Sequence, residues 1–318
     1  MNRESRVFVG FIIFGRETAK YLPSFLGSLK RQVYRNFKII AFNNGDEDGS
    51  NSRHIKESGL DIFVMGDGGN KGFSAAYNMM IREAVEQKAD YFWISNPDIV
   101  YNEDVLDELV SRLDRDTELG SVCPKLLKWD FDSDSRTETV DTYGIEMRKG
   151  LRFFDVGQGQ PDRFDFRYHG IIGPSGASGL YRLAALEKIK EDDGYFDESF
   201  FMYKEDCDLD YRLMLAEWET AVVPEAVGWH DRTAKTAGQG DWAALKARYG
   251  KGRQVRIWSF KNQQIIFWKY WKLQDAAAKI AIIIYQSKVL AYAVLFERFL
   301  LKELISFWRE KGGLKRYG

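Results

Sequence analysis

Tyr91-Phe92-Trp93-Ile94-Ser95-Asn96-Pro97-Asp98 is the stretch on which the reading of the chain turns. Its first four residues are an unbroken apolar run that Ser95 extends to strand length, the pattern of a strand covered on both faces. Pro97 cannot donate to a central ladder, so the chain must turn after Ser95 and present Asp98 at the end of the strand. Upstream, residues 7–14, 37–42 and 61–65 repeat the strand pattern. Between them lie two helical faces: Leu22, Phe25, Leu26 and Leu29, then Phe73, Ala76, Tyr77, Met80 and Ala84. A further helix is expected over residues 105–113. Repeated β-α-β predicts an α/β fold with a doubly wound, mostly parallel sheet, and such sheets bind ligands beyond the carboxyl ends of their strands.

From about residue 130 to 168 the pattern weakens into short alternating pieces rich in Asp, Arg and Gly, which reads as an irregular hairpin or flap. Order returns with a strand at 179–182, helices from Ala184 and across 205–215, and a strand at 220–223 that ends near Trp229-His230.

The 318 residues are 45% hydrophobic and 29% charged, a composition suited to one large globular domain plus an appendage. Cys123 and Cys207 are far apart and lack metal-type spacing, so a reducing cytoplasm is the expected setting. Residues 1–6 lead straight into the first strand, and that run is too short for a signal peptide. Net charge is −1, yet from Lys251 onward fourteen Lys and Arg face four acids. The tail therefore carries +10 and the first 250 residues −11. We expect a catalytic domain over 1–250, divided into halves 1–125 and 126–250, and a separate basic segment over 251–318.

Asp98 is a carboxylate at the ligand edge, the minimum a hard divalent cation such as Mg²⁺ or Mn²⁺ requires when substrate phosphates complete its shell. The same Asp could instead cap the following turn. Aromatic residues at 195, 196, 200, 201 and 203 precede acids at 205, 206, 208 and 210. Glu205, Asp208 and Arg212 fall on one helical face, with Asp206 pointing elsewhere. An acid at a helix start beside an aromatic wall suits a general base, although the helix dipole favours acids there in any case. His230 follows an apolar strand, where a lone histidine is as a rule buried and hydrogen-bonded. Lys71-Gly72 opens a helix whose N–H groups favour a phosphate. No Walker sequence and no G-x-G-x-x-G follow the first strand, which removes most support for an ATPase or a Rossmann dehydrogenase.

Taken in order, residues 21–32, 43–50, 70–78, 96–98, 175–182, 196–206 and 224–230 resemble glycosyltransferase family 2, in particular its rhamnosyltransferase-like members of surface-polysaccharide biosynthesis. The resemblance implies a GT-A fold and an inverting transferase that uses a nucleoside-diphosphate sugar and Mn²⁺ or Mg²⁺. It implies that Asp98 holds the metal, with Asn96 near the ribose, and that His230 completes the metal–diphosphate site. Asp206 would be the catalytic base and Glu205 would help to place the acceptor. Ile13, Phe14, Gly15, Asn43 and Asn44 fall where the family binds base and ribose. Asn43 replaces the family's usual Asp, which puts the identity of the donor base in question. The acceptor would be a glycan or a lipid-linked glycan, and dTDP-rhamnose is the first donor to expect, UDP-sugars the next.

The tail has twelve aromatics between residues 255 and 310, with Lys279 and Lys288 interrupting its most apolar part. No uncharged run approaches the ~20 residues of a spanning helix. An amphipathic helix lying on an anionic inner membrane face is therefore expected, as opposed to packing on the domain or a dimer contact. No nucleic-acid motif accompanies the basic residues. A sugar nucleotidyltransferase would need a Gly-rich basic loop where Phe14-Gly15-Arg16-Glu17 stands, and a non-catalytic binding protein would have had no reason to keep both Asp98 and Asp206. Oligomeric state is left open by the sequence.

Overall fold

The computed structural model describes residues 4–163, 165–167, 170–192, 194–232 and 252–317. The chain divides into two compact units. The described residues of Met1–Glu146, Asp155–Phe201 and Glu205–Thr233 form the first, and those of Met147–Phe154, Met202–Lys204 and Ala234–Gly318 the second. The expected boundary at 250/251 lies outside the described residues.

The first unit is built on a nine-stranded sheet. Strands β1 (Val7–Ile13), β2 (Phe37–Asn43), β3 (Ile62–Met65) and β4 (Tyr91–Ser95) are parallel, in the order β3-β2-β1-β4. The sheet continues with β11 (Ser178–Arg182), β6 (Leu119–Asp130), β12 (Glu219–His230) and β5 (Ile99–Tyr101), while β7 (Ser135–Thr142) pairs with β6. Because β11 runs antiparallel to both β4 and β6, and β12 runs parallel to β6, strands β4 and β12 end at the same edge.

β1 shows why the sheet is buried on both faces. Val7, Val9, Phe11 and Ile13 join one core with helix α2 (Leu22–Lys30) and helix α5 (Val105–Arg115). Phe8 points the other way, into a core with helix α4 (Gly72–Glu86), helix α6 (Leu183–Ile189) and helix α7 (Glu205–Leu215). Alternation of side chains across a strand produces this three-layer arrangement directly. Gly10 faces the second core, where an added Cβ would stand 2.4 Å from the Phe92 ring, so only glycine lets that ring close over the strand.

Two segments are more regular than expected. β6 was hidden by Gly120, Pro124 and two lysines, and Pro124 sits where the β6–β12 pairing slips between Val223 and Val227. The segment expected to be an irregular hairpin or flap is built of regular strands: β7 returns antiparallel along β6 as a hairpin, and β8 (Ile145–Arg148) and β9 (Arg152–Asp155) join β10 (Ile171–Gly173) in a small sheet of order β10-β8-β9.

The second unit contains helices α8 (Arg253–Tyr270), α9 (Ala276–Phe296) and α10 (Phe299–Glu310). The expected amphipathic stripe is not found on α9: its 21 residues are mainly apolar and its few polar side chains do not gather on one face, and by length and composition the helix could cross a membrane. Lys279 and Lys288 are the two charged residues of a mainly apolar helix, and helix length counts the whole segment rather than its uncharged runs. Ile280, Ile283, Ile284, Leu295 and Phe296 are each more than half exposed.

Candidate active site

The antiparallel pairing of β5 with β12 sets His230 opposite Ile99, so the residue just before β5, Asp98, meets the end of β12. The backbone closes the junction, since Asp231 N–H donates to the Asp98 carbonyl at 2.9 Å. His230 Nε2 then lies 3.4 Å from Asp98 Oδ1, and His230 Nδ1 lies 2.8 Å from Asp141 Oδ2 on β7. Arg232 Nη1 reaches Asp141 at 3.4 Å and Asp155 at 2.9 Å. A chain of alternating charge, Asp98–His230–Asp141–Arg232–Asp155, thus runs along the sheet edge.

Burial alone would drive the His230 ring neutral, but the carboxylates of Asp98 and Asp141 outweigh it and raise its pKa to about 10. Asp141 is buried, yet Arg232 and His230 hold its pKa below the usual carboxylate value. Burial moves Asp155 upward, and Arg232 offsets only part of that.

A divalent cation fits these residues. Asp98 Oδ1 is buried and has no hydrogen-bond partner, and the Asp141 contact fixes the ring so that Nε2 faces Asp98, the usual second-shell arrangement behind a histidine ligand. Among the described residues no group of three or more His, Cys, Asp or Glu is placed to close a metal shell without substrate. Asp98 and His230 would therefore supply the protein's share and diphosphate oxygens the rest, as is common for hard cations.

A cleft of about 600 Å³ lies at this edge, lined by Phe14, Arg16, Glu17, Thr18, Lys20, Tyr21, Asn96, Pro97 and Asp98. Phe14, Asn96 and Asp98 were expected here. The Tyr21 hydroxyl donates to Asp231 Oδ2 at 2.6 Å.

The other expected nucleotide residues are largely engaged with one another. Ile13 and Asn43 are register partners at the ends of β1 and β2, and Gly15 N–H donates to the Gly45 carbonyl at 2.6 Å. Asn44 is buried, donating to the Gly72 carbonyl at 3.1 Å and accepting from Lys71 N–H at 2.6 Å. Gly72 N–H donates to Asn70 Oδ1 at 3.0 Å, and Phe73 N–H to the Phe201 carbonyl at 2.8 Å. The N–H groups of Lys71, Gly72 and Phe73 at this helix start are thus already used by protein acceptors. Here Asn44 acts as a staple between two loops.

At the start of α7, Asp206 Oδ2 accepts from Gly176 N–H at 2.9 Å and its Oδ1 from Cys207 N–H at 2.8 Å. The preceding Tyr203 and Lys204 both have positive φ, 74° and 69°, rare for residues with a Cβ and concentrated at functional sites. Asn262 Nδ2 holds that bend by donating to the carbonyls of Met202 and Tyr203, at 2.8 and 2.6 Å. Glu205 is buried, and its charge and that of Asp98 both reach Tyr77, whose hydroxyl burial pushes far above its usual pKa. The charge of Asp206 likewise reaches Arg232 and Asp155. Asp208 meets Arg212 at 3.0 Å in the core, a pairing that their spacing on one helical face leads one to expect.

The profile of "Glycosyl transferase family 2" matches residues 10–190. The chain belongs to glycosyltransferase family 2. Like other members of the family it is a glycosyltransferase, and its fold is GT-A. It is 24% identical over 234 residues to an N-acetylglucosaminyl-diphospho-decaprenol L-rhamnosyltransferase of Mycobacterium tuberculosis, which covers 68% of this chain and 73% of that protein. It is 26% identical over 168 residues to the low-salt glycan biosynthesis hexosyltransferase Agl10 of Haloferax volcanii, spanning about half of each, 52% and 51%. Among solved structures it is similar in fold to the mannosyltransferase PcManGT from Pyrobaculum calidifontis, in complex with GDP-Man and Mn²⁺. That likeness has a TM-score of 0.54 at 14% identity and covers 99% of this chain and 77% of the other. GalNAc-T7, crystallised with UDP, GalNAc and Mn²⁺, gives 0.57 at 10% identity over 83% and 51%.

Asp141, Asp155, Arg232, Asp231 and Tyr21 had no place in the sequence-based site. Asp141 and Asp155 sit in the weakly patterned segment, so nothing local marked them. The run His230-Asp231-Arg232 at a strand end was the one available signal.

Proposed function

We propose that this family 2 enzyme transfers a hexose from a nucleoside-diphosphate donor to a glycan or lipid-linked acceptor in a single displacement that inverts the anomeric carbon. The observation that carries the reading is the buried Asp98 oxygen, which accepts no hydrogen bond and lies 3.4 Å from a histidine that Asp141 holds in place. Asp98 and His230 are the residues that would hold Mn²⁺ or Mg²⁺, which supplies Lewis-acid stabilisation of the departing diphosphate when bound. The cleft beside Phe14 and Asn96 receives the nucleotide. Ile13, Gly15, Asn43 and Asn44 serve the base and ribose beside it, and Lys71 and Gly72 act through the loop that Asn44 pins.

Asp206 takes the proton of the acceptor hydroxyl as that oxygen attacks C1, while the C1–oxygen bond to the diphosphate breaks on the opposite face. Its two backbone hydrogen bonds orient the carboxylate, and the Tyr203-Lys204 bend sets where α7 begins. Glu205 assists by positioning the acceptor. Residues 126–250 shape the acceptor side and 1–125 the donor side.

We place the enzyme at the inner face of a membrane, with residues 251–318 as its contact. Exposed aliphatic side chains on α9 support this, and Lys288 near the helix centre favours lying in the interface, because a charge at mid-bilayer costs about 3 kcal/mol or more. dTDP-rhamnose is the first donor to try, by similarity to the mycobacterial rhamnosyltransferase, followed by UDP-sugars. A panel of sugar nucleotides assayed for Mn²⁺-dependent hydrolysis or transfer tests the reading. Turnover with one donor, lost on chelation, supports it; no turnover with any donor and acceptor at any metal concentration would overturn it.

A further inference from the structure

A second cleft, about 470 Å³, lies wholly within the C-terminal helical unit and matches the ~300–1,000 Å³ of preformed ligand sites. Phe267, Trp271, Ile283, Leu290, Leu304 and Phe307 give it an apolar lining. Its neutral polar side chains are satisfied internally. Gln264 and Gln286 exchange amide hydrogen bonds at 3.2 and 2.6 Å, and Ser287 donates to the Ile283 carbonyl at 2.9 Å.

One part of the lining differs. Trp268 Nε1 is buried with no hydrogen-bond partner. Two cations flank the same indole ring: Arg316 at 4.0 Å and Lys311 at 4.4 Å, with Lys311 also 3.4 Å from the Trp308 ring. Among the described residues no carboxylate pairs with Lys311 or Arg316. The cleft therefore combines an apolar trough, an indole N–H awaiting an acceptor, and positive charge. The exposed aliphatic side chains of α9 lie on the same helix that supplies Ile283 and Leu290.

We propose that this cleft receives one hydrocarbon chain of an anionic membrane lipid, with Lys311 and Arg316 facing its phosphate. A soluble nucleotide or sugar would leave the apolar lining unmatched, and an uncharged lipid would leave the cations and Trp268 Nε1 unanswered. Bilayer lipid meets all three features at once. The assignment rests on placing residues 251–318 at a membrane, and adds a specific lipid seat to what would otherwise be surface adsorption.

The test uses the full chain and a short-chain phosphatidic acid brominated on its acyl tail, titrated below its micelle concentration, with tryptophan fluorescence as readout. Co-sedimentation with phosphatidylcholine–phosphatidylglycerol vesicles runs in parallel. The cleft predicts saturable quenching, weakened about tenfold or more by the double variant Lys311→Glu/Arg316→Glu and by the matching brominated phosphatidylcholine. Ser287→Phe and, as a second filling variant, Leu290→Phe should abolish it while leaving the thermal melting of the chain unchanged. Vesicle sedimentation without saturable quenching, or quenching unaltered in both filling variants, overturns the lipid seat and leaves the membrane reading standing. Loss of both signals in the wild-type chain overturns the two together.

Discussion

At the scale of single residues, the account separates Asp206 from the residues around Asp98. Asp206→Asn keeps the size and one acceptor oxygen of the side chain but removes its basicity. We expect turnover to fall by about 10²–10⁴, the usual contribution of a positioned base, with donor affinity unchanged. Rates at the wild-type level would exclude Asp206 as the base. Asp141 acts one step further out, on His230 Nδ1. Asp141→Asn should weaken Mn²⁺ binding by about 10–100-fold and leave kcat at saturating metal nearly intact, measured as the metal dependence of turnover. Asp98, Glu205 and Asp206 were legible as candidates because a carboxylate after a strand or at a helix start is a local pattern, and His230 through the family resemblance. Asp141, Asp155 and Arg232 were not, because their meaning lies in strand pairings between segments about 90 residues apart.

At the scale of elements, the sheet and its helices follow from patterns the sequence displays openly. α2 buries the four apolar positions its spacing picks out, and β4 spans Tyr91–Ser95 as read. Close packing then adds a demand that periodicity does not express. Gly10→Ala would force the Phe92 ring out of its place against β1, and we expect a loss of about 1–3 kcal/mol in denaturant unfolding, typical of overpacking. Helix α3 (Ser50–Ser58) is held from outside: Asp46 accepts from the N–H groups of Asn51 and Ser52 at 3.0 and 2.9 Å. Partial burial opposes ionisation of Asp46, but its hydrogen bonds to Ser52 and Asn51 prevail and lower its pKa. A carboxyl with a lowered folded-state pKa contributes stability above its ordinary value and loses that contribution as pH falls through the folded value. Asp46→Ala should therefore cost about 1 kcal/mol at neutral pH and progressively less below about pH 4, read from melting curves. A cost that stayed constant down to pH 2 would contradict the capping role. Elements interrupted by Gly and Pro, β6 above all, were missed because their pairing is supplied by neighbours that propensity does not see.

At the scale of the whole molecule, the charge asymmetry marks a basic C-terminal segment, but composition alone did not reveal α9 as one long apolar helix. Counting uncharged runs split it at Lys279 and Lys288, whereas the backbone hydrogen-bond ladder continues through both lysines. In the first unit three carboxylates, Asp98, Asp141 and Asp155, meet at the strand ends and are matched there by His230 and Arg232. The central claim is that Asp98 grips a cation-bound diphosphate while Asp206 serves the chemistry. Mn²⁺-dependent thermal stabilisation by nucleoside diphosphates, compared in the wild-type chain, Asp98→Asn and Asp206→Asn, tests it most directly. We predict equal stabilisation for the wild type and Asp206→Asn, and none for Asp98→Asn. Undiminished metal-dependent stabilisation of Asp98→Asn would contradict the account.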